Sequence, residues 1–382
     1  MSPGPSALDL LDDQAALEAA DPADMLRVLA SAAAQVREAV VLSAEAGVAR
    51  FGEEDRPRTV VVLGMGGSGI AGDVLAAVAG PACPVPILSH RGFGLPTWVG
   101  AADLVVAVSC SGRTEETQSG LEEAVRRGCR LLVVAHETSP IADLGRRGRG
   151  IVVPVPQGRV PRAVLWALSV PLLVAADALA LLSAPPGVLE GAALALEAVA
   201  QRCAPGHDLV VNPAKTLALE LLGAVPVLWG TSPVTGVAAH RGACQLNENA
   251  EVPAVWGVLP EVGHNQVALL DGPFARRAEG DLFADPYDDH GPAPAGSRAR
   301  LVLLRDEIEL PAVARRAQVV QELAEERGVG VSALLGSGAT GLERLAVLVG
   351  TLDFASIYLA LLQGTDPTPN PAIDALKART QR

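Results

Sequence analysis

Two segments of this chain end an apolar run in glycine and hydroxyl residues. In that arrangement a strand hands over to a helix and backbone N–H groups point at an anion. The first is Val60–Leu63 followed by Gly64-Met65-Gly66-Gly67-Ser68-Gly69, and the second is Leu104–Val108 followed by Ser109-Cys110-Ser111-Gly112-Arg113-Thr114. The first loop fits the dinucleotide pattern G-x-G-x-x-G, which asks for an acidic residue about 20 positions on, at the ribose hydroxyls. The next strand-like run instead enters Ile87-Leu88-Ser89-His90-Arg91, with no carboxylate. Arg91 can serve a 2′-phosphate, which keeps an NADP-dependent oxidoreductase as one alternative. Two hydroxyl loops at one sheet edge suit a compact phosphate monoester better, with Gly67, Ser68, Ser109, Ser111 and Thr114 as the binding residues. The same residue types also serve as ordinary helix caps.

Four more residues have the chemistry a reaction would need. Glu248 stands between Asn247 and Asn249, whose amides can orient a carboxylate, and on composition alone it is also an ordinary solvated glutamate. His264 lies in Pro260-Glu261-Val262-Gly263-His264-Asn265-Gln266, a turn between apolar runs. Arg162 follows Pro161 at the start of a long apolar stretch, where a guanidinium can face a cleft or simply begin a helix. Lys377 is one of two lysines, beside Lys215, in a chain of 30 Lys and Arg; near a helix end it also suits the dipole. The six histidines form no H-x-x-x-H pair and the five cysteines no C-x-x-C pair, so neither a metal site nor a disulfide frame is expected.

The elements that must carry these residues follow from the hydrophobic pattern. A length of 382 residues predicts two domains, and 49% hydrophobic residues with 3% aromatic predict a core of Ala, Val and Leu. A net charge of −13 without a basic stripe argues against nucleic acid. The start lacks a basic and apolar leader, and the apolar stretch Ala163–Leu182 contains Pro171 and Asp177, so a buried helix, no membrane and a cytoplasmic location are expected. Residues from about Leu8 to Ala49 read as two lead-in helices. Strands are predicted at Thr59–Leu63, Val85–Leu88, Leu104–Val108, Leu131–Val134 and Ile151–Val153, with helices such as Glu115–Arg127 and Ile141–Arg147 between them. A second set of strands is predicted at Leu209–Val211, Val225–Trp229, Val255–Val258, Val267–Leu270 and Leu301–Leu304. Strand–helix alternation implies α/β architecture with parallel sheets covered on both faces. The boundary is expected near Pro185–Gly206.

GMGGSG followed by SCSGRTEET resembles the sugar isomerase (SIS) fold, in which strand–Ser/Thr loop–helix units grip the phosphate of a phosphosugar. Pro161-Arg162-Ala163, Gln245-Leu246-Asn247-Glu248-Asn249-Ala250, Leu259-Pro260-Glu261 with Gly263-His264-Asn265, Ser356–Ala360 and Asp366-Pro367-Thr368-Pro369 follow in order. That series is similar to the bifunctional phosphoglucose/phosphomannose isomerase family over about Val60–Lys377. The resemblance implies two SIS-type subdomains: helices over 1–50, a first domain over 51–190, a second over 205–362 with a flexible insertion at 271–298, and a tail helix over 363–382. It further implies cofactor-independent aldose–ketose isomerisation of hexose 6-phosphates. Glu248 would be the proton-shuttling base and His264 the ring-opening group, reaching in across a homodimer interface. Arg162 would face the enediolate charge, and Lys377 the ring oxygen or a substrate hydroxyl. Measured against the family pattern, Arg113 replaces an asparagine, Glu251 a lysine and Gln266 a glutamate, and His136-Glu137-Thr138-Ser139 replaces a Ser-Gly-Gly turn. A non-catalytic phosphosugar-binding or regulatory protein with the same loops is the other alternative.

Overall fold

The computed structural model describes residues 7–156, 158, 160–275 and 299–380. Of the insertion expected at 271–298, residues 276–298 lie outside the described residues. Its first five residues are tied down: Asp271 pairs with Arg327 at 2.7 Å, and Ala275 is buried.

The chain divides into two compact units. One comprises residues 30–198 and 338–346, the other the described residues among 1–29, 199–337 and 347–382. The division at Ala198/Val199 falls within the boundary expected near Pro185–Gly206, inside the helix Pro186–Arg202, whereas the lead-in helices are split at Leu29/Ala30 and residues 338–346 join the first unit. The lead-in segment forms four helices rather than two: Ala7–Asp12, Gln14–Ala20, Met25–Ala30 and Ala32–Glu45. Aspartates break the run. Asp13 caps the second helix by accepting from Ala16 N, and Asp21 accepts from the amides of Met25 and Leu26.

The first unit holds β1 (Val60–Leu63), β2 (Ile87–His90), β3 (Leu104–Ser109), β4 (Arg130–Ala135) and β5 (Ile151–Pro154). All pairs are parallel, in the order β2-β1-β3-β4-β5. Every residue of β1 and β3 is buried, as expected where helices cover both faces of a sheet. On one face Leu63, Val105 and Val133 pack against Leu121 and Ile141 from the helices Glu115–Arg126 and Pro140–Arg147. The apolar stretch expected as a buried helix forms Leu165–Ala178, in which eleven of fourteen residues are buried.

The second unit holds β6 (Val225–Gly230), β7 (Val255–Val258), β8 (Ala299–Asp306) and β9 (Gly330–Gly336), parallel in the order β7-β6-β8-β9. Two predicted strands are not strands. Leu209–Val211 is a turn: Val210 is 91% exposed, and Asn212 immediately caps the helix Pro213–Leu221. Val267–Leu270 lies in a 3-10 helix, Gln266–Asp271, that buries only Leu270. β9 escaped the sequence reading because it is an edge strand with half-exposed residues such as Leu335 and no unbroken apolar run. One described helix, Gly341–Leu362, is long and apolar enough to cross a membrane, and 83% of its most apolar window is buried within the protein.

In each sheet the chain leaves its first strand toward one edge and then returns to that strand's other side. β1 and β3 therefore flank one switch point, and β6 and β8 flank another, where parallel sheets place ligands beyond their carboxyl ends.

Candidate active site

The first switch point is built from the two glycine and hydroxyl loops. After β1, Gly66 takes φ 53° and caps the helix Gly67–Ala79. A Cβ on Gly64 would sit 2.9 Å from the Ser68 carbonyl, so only glycine permits this approach. Ser68 Oγ accepts from Cys110 N at 3.4 Å, which joins the first loop to the second. After β3, the buried Ser109 Oγ accepts from Gly112 N at 3.0 Å and lies 2.9 Å from Thr114 Oγ1. Ser111 Oγ accepts from Arg113 N at 3.3 Å. Gly112 has φ 65°, and a Cβ there would come within 2.1 Å of Ser139.

These hydroxyls are not spent as helix caps. Thr114 occupies the N-cap of Glu115–Arg126 but makes no side-chain cap bond, and a glycine caps the helix that begins with Gly67 and Ser68. Ser139 shows the contrast, since its side chain does cap Pro140–Arg147. Two helix N-termini and a ring of hydroxyls therefore meet at one sheet edge, a cradle for a compact dianion. Arg113 is exposed beside it. Burial pushes the Cys110 thiol up, which disfavours the nucleophilic thiolate. Arg91, the candidate for a 2′-phosphate, instead bonds Asp73 of the Gly67–Ala79 helix and the carbonyl of Gly69. That engagement removes the observation on which the NADP alternative stood.

Arg162 also belongs to this unit, buried in the 3-10 turn Pro161–Ala163. Glu248, His264 and Lys377 belong to the other unit, on three separate elements. Glu248 is half-buried in the last turn of the helix Pro233–Asn249. Its neighbour Asn247 donates to Ala243 O at 2.6 Å and Asn249 donates to Ser356 Oγ at 2.8 Å. His264 closes the 3-10 helix Glu261–His264 and lines a groove of about 490 Å³ with Leu259, Arg315, Arg316, Val319 and Leu323. Gln266, where the family pattern has a glutamate, accepts from Trp229 Nε1 at 2.8 Å and donates to Trp256 O at 3.2 Å. Only an amide can do both, because a carboxylate has no donor for the carbonyl. Lys377 is exposed in the helix Pro371–Thr380, which buries no side chain. The other lysine is structural: Lys215 is buried and donates to the carbonyls of Leu11, Pro205 and His207, with burial lowering its pKa.

The second switch point was not foreseen. Thr231 and Ser232 follow β6 as the glycine loop follows β1, but their hydroxyls are taken by carboxylates from the end of β8. Thr231 Oγ1 donates to Glu309 Oε1 at 2.6 Å and Ser232 Oγ to Asp306 Oδ2 at 2.5 Å. Arg305 grips Glu309 in a fork at 2.7 and 2.6 Å. Burial pushes the Glu309 carboxyl up, but Arg305, Thr231 and the Asp306 amide together hold it below the usual carboxylate range. The sequence signal was Asp306 and Glu309 lying just past a strand, opposite Thr231-Ser232-Pro233.

Residues 210–380 match the model of the bacterial phospho-glucose isomerase C-terminal SIS domain. A bifunctional phosphoglucose/phosphomannose isomerase of Caldicellulosiruptor bescii is 30% identical over 318 residues, 83% of this chain and 88% of that protein. The chain belongs to the bifunctional phosphoglucose/phosphomannose isomerase family. Another such isomerase, of Aquifex aeolicus, is 29% identical over 324 residues, 85% of this chain and 90% of that one. The fold of this phosphoglucose/phosphomannose isomerase family member is shared with a hypothetical protein from Thermus thermophilus, at TM-score 0.69 and 17% identity over 94% of this chain and 90% of that one. The α/β fold with two mainly parallel, helix-flanked sheets is thus the one the family resemblance implied.

Proposed function

We propose that this family member interconverts glucose 6-phosphate or mannose 6-phosphate with fructose 6-phosphate through an enediol intermediate. The observation that carries the reading is the first switch point: two joined loops whose hydroxyls make no helix-cap bonds, at two helix N-termini, suit the phosphate of a phosphosugar. In this reading Gly67, Ser68, Ser109, Ser111 and Thr114 hold the phosphate. His264 assists ring opening from the partner subunit of a homodimer, and Lys377 serves the ring oxygen or a sugar hydroxyl. Glu248 then removes the proton from C2 of the aldose as a general base and returns it to C1, while the hydroxyl proton passes from O2 to O1. Arg162 offers its guanidinium to the enediolate oxygens, whose charge exists only during the transfer. No net oxidant or reductant is needed, because the hydride equivalent stays within the sugar.

Glu248→Gln tests the assignment. It keeps size and polarity but removes the base, so turnover is expected to fall by about 10²–10⁴-fold with substrate binding little changed. Proton NMR of fructose 6-phosphate in deuterium oxide reads both isomerisation and exchange, as deuterium entering C1 of the ketose and C2 of the aldose product. Exchange and turnover at the wild-type rate in Glu248→Gln would place the base elsewhere. Tight phosphosugar binding without turnover in the wild-type protein would favour the regulatory alternative.

A further inference from the structure

The helix Pro233–Asn249 carries a buried polar seam at positions four and eight residues apart: Arg241, Gln245 and Asn249, each 1% exposed. Opposite it, the helix Gly341–Leu362 presents Asp353 and Ser356, 7% and 0% exposed. Arg241 forks onto Asp353 at 3.1 and 2.9 Å. Asn249 Nδ2 donates to Ser356 Oγ at 2.8 Å, and Ser356 Oγ donates to the Asp353 carbonyl at 2.7 Å. The helices come close: a Cβ on Gly242 would lie 3.0 Å from Leu352 Cδ1.

Stability alone is a poor reason for such a seam, because a buried ion pair is often no better than well-packed apolar side chains. What the seam does supply is register. A slip of one residue rotates a helix by about 100° and moves it about 1.5 Å, and either motion breaks both bonds. Glu248 lies one residue before Asn249, in the turn whose carbonyls have no intrahelical partners and which would otherwise fray. The backbone closes the same turn: Ala250 N and Val252 N both bond Leu246 O, with Glu251 at φ 55°.

We propose that Asn249 and Ser356 are positioning residues for the reaction, their mutual hydrogen bond fixing the helix end that presents Glu248. The inference rests on Glu248 being the base. It extends the functional motif to a second helix, because Ser356 acts on the reaction only through Asn249. A base displaced by an ångström loses rate and leaves the phosphate's grip on the substrate intact.

Steady-state kinetics with fructose 6-phosphate on the full chain, with melting curves alongside, test it. Asn249→Ala and Ser356→Ala are each expected to lower kcat about tenfold with KM within about twofold. The double variant should be no slower than the worse single, since the Asn249–Ser356 bond is lost in all three. Tyr358→Phe is the control, because it deletes a buried bond of the same helix, from Tyr358 Oη to Cys203 O at 2.6 Å, without touching Asn249. It should lower the melting temperature and leave kcat unchanged. Each single variant reports on the same bond, so one that fails to fold leaves the other as the test. Wild-type kcat in a folded Asn249→Ala or Ser356→Ala variant, with Glu248→Gln inactive, overturns the positioning role alone. Wild-type kcat in Glu248→Gln overturns the base assignment and this inference with it.

Discussion

At the end of β1, Ser68 links to the neighbouring loop through a single backbone amide, and Ser111 is exposed. At the end of β6, the hydroxyls of Thr231 and Ser232 are each bonded to a carboxylate of the same unit, and Arg305 neutralises one of them. The topology and strand order around the two switch points correspond, yet at one the hydroxyls bond only backbone amides and each other, and at the other they are bonded to carboxylates. The difference lies in the residues after the next strand over. Serines, glycine and threonine after β3 add donors, whereas Asp306 and Glu309 after β8 add acceptors that satisfy those already there and repel an anion. A shared fold therefore does not give both loops the same chemistry, and the residues of the neighbouring loop decide it.

The largest test of this contrast is binding. The triple variant Ser68→Ala, Ser111→Ala, Thr114→Ala is expected to lose on the order of 3–5 kcal/mol of fructose 6-phosphate affinity, since each side chain removes a bond to a charged acceptor. The pair Thr231→Ala, Ser232→Ala is expected to leave that affinity unchanged and to lower only stability. Calorimetry reads both, and equal losses from the two sets would erase the distinction.

Gly112→Ala comes next, with an expected destabilisation of about 2–4 kcal/mol, because the new methyl meets Ser139 in a backbone conformation that disfavours L side chains. Urea unfolding at fixed pH measures it. Stability equal to wild type would mean the second loop can rearrange and is not the rigid cradle inferred from its glycine.

A smaller effect belongs to the filled switch point. Glu309 titrates below its unfolded value of about 4.3, so it contributes stability at higher pH that is lost as pH falls through its folded value. Glu309→Gln should be less stable than wild type near pH 7, by about 1 kcal/mol. The gap should close as pH falls from about 5 toward 3. A gap that widens on acidification would show that the carboxylate is a burden there. The smallest effect is expected from Arg113→Ala, under about 1 kcal/mol of substrate affinity and diminishing with salt, because the guanidinium is exposed. Salt-independent loss of more than that would move Arg113 from the rim into the binding set.

Much of this was legible in advance for definable reasons. Strands buried on both faces announce themselves as runs of Val and Leu, so β1, β3, β4, β6 and the centre of β8 were read nearly in place. β9 lies at an edge, half exposed, and gave no such run. Leu209–Val211 gave the run without the burial, and the capping power of Asn212 and Pro213 won. The two glycine and hydroxyl loops were legible from their residue types and order, and the structure joins them at one sheet edge. The Asn249–Ser356 bond was not, because its partners are 107 residues apart and their pairing depends on how two helices pack.

What the sequence alone determined is local. Glycine at positions 64, 66 and 112 dictates tight turns because no Cβ fits or because φ is positive, and hydroxyls beside them dictate donors at two helix starts. The family motifs placed the chain among phosphosugar isomerases. The tertiary structure decided which donors remain available. The hydroxyls of Thr231 and Ser232 are as able to bind an anion as those of Ser68 and Ser111. Their use is settled by carboxylates about 75 residues away, brought to bonding distance because β6 and β8 are neighbours in one parallel sheet. Hydrogen bonds act over about 3 Å, so which groups are already paired becomes known only once the sheet has formed.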